Sequence, residues 1–82
     1  MSRLLIVDDE ERIRVILKKY AEFEGYDTDE AADGMEAVLK VRANDYDLII
    51  MDVMMPVMGG LEATRQLRAM GVDIPIIAMS AN

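Results

Sequence analysis

At 82 residues, 52% hydrophobic and 30% charged, the chain has the composition of one small globular domain. A formal charge of −7, with no Lys/Arg cluster interleaved with aromatics, argues against a nucleic-acid binder and makes cations the expected counter-ions. The absence of Cys and His removes disulfides, thiolate chemistry, imidazole catalysis and the commonest transition-metal ligand, leaving carboxylates, hydroxyls and backbone groups.

Leu4 to Val7 is a short apolar run with β-branched members, suited to a strand covered on both faces, and it stops abruptly in Asp8, Asp9, Glu10 and Glu11. From about Glu11 to Glu24, Ile13, Ile16, Leu17, Tyr20 and Phe23 recur at helical spacing, so Tyr20 and Phe23 are expected in the core; Gly25 then ends the helix. "YDTDEAA" alternates weakly and is expected as a short polar strand at a sheet edge. Asp33 and Gly34 open a second helix to about Ala43, with Met35, Val38 and Leu39 as its inner face and Asn44 and Asp45 at its end.

"DLIIMD" is a second buried strand ending in acid, and "VMMPVMGG" is a loop punctuated by Pro56, Gly59 and Gly60. Leu61 to Met70 reads as a third helix closed by Gly71, and "IPIIAM" as a fourth strand. Met51, Met54, Met55, Met58 and Met79 could form a soft-metal or adaptable binding surface, but most of them are expected to fill core and loop gaps. Too few apolar residues separate Arg3 from Asp8 for a signal peptide, and no run approaches the ~20 of a membrane span. The expected setting is soluble and cytoplasmic, away from membrane and nucleic acid.

The order β-α-β-α-β-α-β points to a parallel sheet with helices on its faces. Ligands of such sheets bind beyond the carboxyl ends of the strands. Asp8 and Asp9, Asp52, and Ser80 all fall there, and a strand order of 2-1-3-4 makes the acids converge. Three crowded carboxylates repel one another, and Mg²⁺, which takes oxygen ligands and typically one or two carboxylates, is the economical neutraliser. Helix capping explains the "DDEE" run alone equally well, but not Asp52 directly after "LIIM".

"LLIVDDEERIR", "DLIIMDVMMPVMGG" and "PIIAMSA", in this order and at these separations, resemble the receiver domain of two-component response regulators, which has a flavodoxin-like α/β fold. The resemblance implies that Asp52 accepts a phosphoryl group from a phosphohistidine on a sensor histidine kinase or phosphotransfer protein. It makes Asp8 and Asp9 the acidic pair around Mg²⁺, Met54 the donor of a backbone carbonyl to that metal, Ser80 the switch hydroxyl, and Ala81 a small neighbour with a backbone N–H for the phosphoryl group. Such a module assists its own phosphorylation without turning over as an enzyme.

The family pattern runs past Asn82 into a fourth helix, a fifth strand ending in a lysine, and a fifth helix. Residues 1–82 are therefore expected to be a single truncated receiver domain with weakened phosphotransfer, self-associating as a homodimer or larger assembly through the exposed fourth strand. The competing reading is a self-associating half-domain without phosphotransfer. A Mg²⁺-dependent phosphatase is weaker, because "DVMMP" lacks an acid two residues after Asp52.

Overall fold

The computed structural model describes residues 2–55 and 58–79. The element order is β1 (Arg3–Val7), α1 (Glu11–Phe23), β2 (Asp27–Ala31), α2 (Gly34–Ala43), β3 (Leu48–Asp52), α3 (Gly60–Ala69) and β4 (Ile76–Met79). All strand pairings are parallel, in the order β2-β1-β3-β4, with Leu4 opposite both Thr28 and Leu48 and with Ile49 opposite Ile76. This is the α/β, flavodoxin-like arrangement expected from the sequence. Pro56, Ser80, Ala81 and Asn82 lie outside the described residues.

The period of two along each strand divides the core. Leu5, Val7, Ile49 and Met51 pack with Ala37, Val38, Val41, Ala63 and Leu67 on one face, under α2 and α3. Leu4 and Ile6 point the other way, against Ala21 with Leu17, Tyr26, Leu48 and Ile50 around it. Because β1 is central and apolar on both faces, Leu4 to Val7 are all buried.

Local chemistry sets the helix ends. Asp33 caps α2 by accepting the Glu36 N–H at 2.8 Å, while the Glu36 carboxylate reaches back to the Ala32 N–H at 2.6 Å, a variant of the capping box. Gly25 and Gly71 take φ of 92° and 84° just past α1 and α3, a left-handed turn that glycine adopts without a Cβ penalty. At α1, Glu10 holds the cap position without a side-chain bond, so neither Asp8 nor Asp9 serves as the cap.

Two expectations about helix faces are corrected. Tyr20 and Phe23 are 70% and 88% exposed instead of buried. The line of α1 nearest the sheet is Arg14, Leu17 and Ala21, and the small Ala21 draws the helix in at that line, leaving Ile16, Tyr20 and Phe23 on its outer flank. Met35 and Leu39 are likewise exposed, because α2 packs through Gly34, Ala37, Val38 and Val41. Of the methionines, Met51 is buried and Met55 and Met58 pack against the core, whereas Met54 is 70% exposed.

Candidate functional site

The carboxyl ends of β1 and β3 lie side by side, with Val7 opposite Met51. Asp8 follows β1 and Asp52 completes β3, so both acids emerge at the same edge of the sheet. Asp8, Asp9 and Asp52 each present a carboxylate oxygen, and these oxygens lie within 4.8 Å of one another. Asp8 and Asp52 are 6% and 4% exposed, while Asp9 faces solvent.

Hydrogen bonds fix two of the three acids. The Glu10 N–H donates to Asp8 Oδ1 at 2.8 Å, and the Met54 N–H donates to Asp52 Oδ1 at 3.1 Å. Both are Asx-type turns in which a carboxylate gathers the backbone two residues on. Burial pushes the Asp8 carboxyl above its ordinary range against the opposing Glu10 N–H, and the charges of Asp52 and Asp9 add to the rise. Among the described residues, no ion pair involves Asp8, Asp9 or Asp52.

Hard carboxylate oxygens, two of the three on buried residues, close together and without an ion-pair partner among the described residues, form the donor set that a small divalent cation requires. The geometry thus fits Mg²⁺ and lacks the nitrogen and sulfur donors that would favour a softer metal. Met54 sits beside the cluster through its N–H.

Two residues shape this site in ways that sequence reasoning did not assign, since it read Gly60 only as loop punctuation and gave Arg14 no role. Gly60, the first residue of α3, packs so tightly beneath β3 that a Cβ there would stand 2.2 Å from the Asp52 carbonyl oxygen. Its N–H donates to the Val53 carbonyl at 3.1 Å, closing the loop onto the strand end. Arg14 is the second: its guanidinium donates to the Asp8 carbonyl at 2.7 Å. The available signal was a charged residue three before Leu17 and seven before Ala21, on the helix line that meets the sheet.

Residues 4–82 match the family model for the response regulator receiver domain. The chain belongs to that family. Similar sequences include response regulator MprA of Mycobacterium sp. (strain KMS), 43% identical over 79 residues, which make up 96% of this chain and 34% of that protein. Sensor protein EvgS of Escherichia coli (strain K12) is 47% identical over 79 residues, 96% of this chain and 7% of that protein. The receiver domain thus spans about a third or less of these curated relatives.

Among solved structures, response regulator TrrA from Thermotoga maritima, in complex with Mg(2+)-BeF, matches this receiver domain with a TM-score of 0.95 at 43% identity. That match covers 100% of this chain and 71% of TrrA. The receiver domain of the Francisella response regulator 1452 matches with a TM-score of 0.94 at 36% identity, over 99% of this chain and 67% of that one.

Proposed function

We propose that this receiver domain is a phosphoacceptor of a two-component relay, taking a phosphoryl group onto Asp52 from the phosphohistidine of a sensor histidine kinase or phosphotransfer protein. The observation that carries this reading is the convergence of Asp8, Asp9 and Asp52 at neighbouring strand ends, within 4.8 Å, in a receiver fold. An Asp52 carboxylate oxygen attacks phosphorus in line as the phosphorus–nitrogen bond of the donor breaks, and the electron pair leaves with the imidazole, which takes up a proton. The product is an aspartyl phosphate on the domain itself, so the domain is the recipient of the group and not a turnover enzyme.

Asp8, Asp9, Asp52 and the Met54 backbone carbonyl would hold Mg²⁺, which when bound offsets the charge of the carboxylates and of the incoming phosphoryl oxygens. The Met54 N–H orients one Asp52 oxygen, and Gly60 keeps the strand end and loop in register. The Ser80 hydroxyl and Ala81 N–H are assigned as further phosphoryl donors on the family resemblance.

Intact-mass spectrometry after incubation with Mg²⁺ and a small acyl-phosphate donor tests the reading. A single phosphoryl adduct is expected, absent from the Asp52→Asn variant and from chelator-treated protein. An adduct that persists in Asp52→Asn rejects Asp52 as acceptor, and no adduct on folded wild type rejects the phosphoacceptor function.

A second reading rests on β4, which is the edge of the described sheet with Ile77 52% exposed and Ala78 also exposed. Such an edge offers unpaired backbone groups to a second copy of the chain. A homodimer is the expected species in equilibrium sedimentation, and a folded monomer at high micromolar concentration rejects it.

A further inference from the structure

We propose that Arg14 is a positioning residue that presets the acidic cluster for its cation by clamping the Asp8 main chain. The inference rests on the Mg²⁺ reading above and goes beyond it by naming what holds the ligands in place. Only 15% of the Arg14 side chain is exposed, and a guanidinium so enclosed is costly unless its N–H groups are used. One is directed to Asp8, where Nη1 donates to the carbonyl oxygen at 2.7 Å. Another is directed to β2, where Nε donates to Glu30 Oε1 at 3.0 Å.

Glu30 is itself anchored. Its second carboxylate oxygen lies 3.9 Å from Lys18 Nζ, and its backbone carbonyl accepts a bond from Lys40. The Asp8 main chain is consequently held on both sides of its Cα, by the Ala31 carbonyl accepting its N–H at 3.1 Å and by Arg14 on its carbonyl. With the main chain fixed, Oδ1 meets the Glu10 N–H at 2.8 Å and the carboxylate stays aimed at Asp52 and Asp9.

The Arg14 charge makes the inference separable from plain electrostatics. Arg14 brings a positive charge to the Asp8 main chain without pairing with the Asp8, Asp9 or Asp52 carboxylates, and a nearby positive charge repels Mg²⁺, so on charge alone its removal strengthens binding. Positioning has the opposite sign. Arginine also differs from lysine here, since a planar fork can serve Asp8 and Glu30 together whereas an ammonium is a point donor.

The test is Mg²⁺ titration by calorimetry on the wild type, Arg14→Lys and Arg14→Ala, with amide hydrogen exchange of Glu10 followed by NMR in the metal-free proteins. Arg14→Lys, which keeps the charge, is expected to weaken Mg²⁺ binding about tenfold, the usual size of an outer-shell effect. It should also speed Glu10 exchange while leaving the middle of α1 protected. Arg14→Ala should weaken binding at least as much, despite removing a repelling charge.

Wild-type affinity in Arg14→Lys, or tighter binding in Arg14→Ala, overturns the proposal. Should Arg14→Ala fail to unfold cooperatively, the charge-conserving lysine variant carries the test. A wild type that takes up no Mg²⁺ defeats the metal reading instead; unchanged Glu10 exchange in Arg14→Lys then overturns the clamp as well, and faster exchange upholds it.

Discussion

The two ends of the sheet treat acidic residues in opposite ways. Toward the amino end, Asp29 Oδ2 accepts from the Arg3 guanidinium at 2.9 Å and from the Tyr46 hydroxyl at 2.7 Å, and the Arg3 N–H meets Asp47 Oδ2 at 2.8 Å. The guanidinium carbon lies 5.5 Å from the centre of the Tyr46 ring, so one arginine serves both acid and aromatic. At the carboxyl end, Asp8, Asp9 and Asp52 share a space under 4.8 Å with no ion pair among the described residues. An acid with its cation built in cross-links the fold. Acids gathered without one raise the energy of the fold and mark where a cation from outside belongs.

The largest expected effect is at the carboxyl end. Gly60→Ala places a methyl group 2.2 Å from the Asp52 carbonyl oxygen and 2.9 Å from its carbonyl carbon, and that backbone is part of the central sheet. Either α3 or the end of β3 must move. A loss of about 3 kcal/mol in urea unfolding is expected, with loss of acyl-phosphate labelling at Asp52. Full labelling with unchanged stability would show that the strand end is not held from below, and would remove the rigid site from the comparison.

Tyr46→Phe tests the amino end and should cost about 1.5 kcal/mol, the scale of a hydrogen bond to a charged group. The tyrosine also predicts a pH dependence. Burial and the Asp29 carboxylate push its hydroxyl from 10.0 up to about 12, with Arg3 opposing. Between those values the folded chain keeps a proton that the unfolded chain has released, so the stability is whole below pH 10.0 and falls as pH rises toward about 12. Tyr46→Phe should lack that alkaline decline while leaving phosphorylation at the opposite end intact. An unaltered alkaline profile in the variant would show that a group other than Tyr46 causes the decline.

The comparison also explains what the sequence made legible. Strands β1 and β3 and their acids were readable because a buried apolar run that stops at a carboxylate leaves that carboxylate at the sheet's edge. The helix faces were less readable. Apolar periodicity marked Tyr20, Phe23, Met35 and Leu39 as inner, but the line of contact is set by the residues that allow closest approach, Ala21, Gly34, Ala37 and Ala63. A hydrophobicity pattern gives such small residues little weight. Arg14 escaped for the converse reason, since its charge argued for solvent, while one partner is a backbone carbonyl that no side-chain pattern marks and the other, Glu30, lies on a different element.

The smallest effect is the most discriminating, because one kind of substitution should have opposite signs at the two ends. Asp8→Asn keeps a side-chain oxygen for the Glu10 N–H while removing a charge that burial and its neighbours Asp52 and Asp9 disfavour. Since the folded-state value is raised, the metal-free fold holds a proton on Asp8 where the unfolded chain has lost it, and stability falls as pH rises from the ordinary carboxylate range through the raised value. At neutral pH without metal, Asp8→Asn should therefore melt a few degrees above wild type, about 1 kcal/mol for a domain of this size. Saturating Mg²⁺ should reverse the order, because the wild type, with one more carboxylate for the cation, gains more from binding than the variant. Asp29→Asn should lower the melting temperature under both conditions, as it leaves Arg3 and Tyr46 without their shared carboxylate. If Asp8→Asn is also destabilising without metal, the acids of the carboxyl end are stabilised within the fold itself, and the contrast between the ends no longer points to a missing cation.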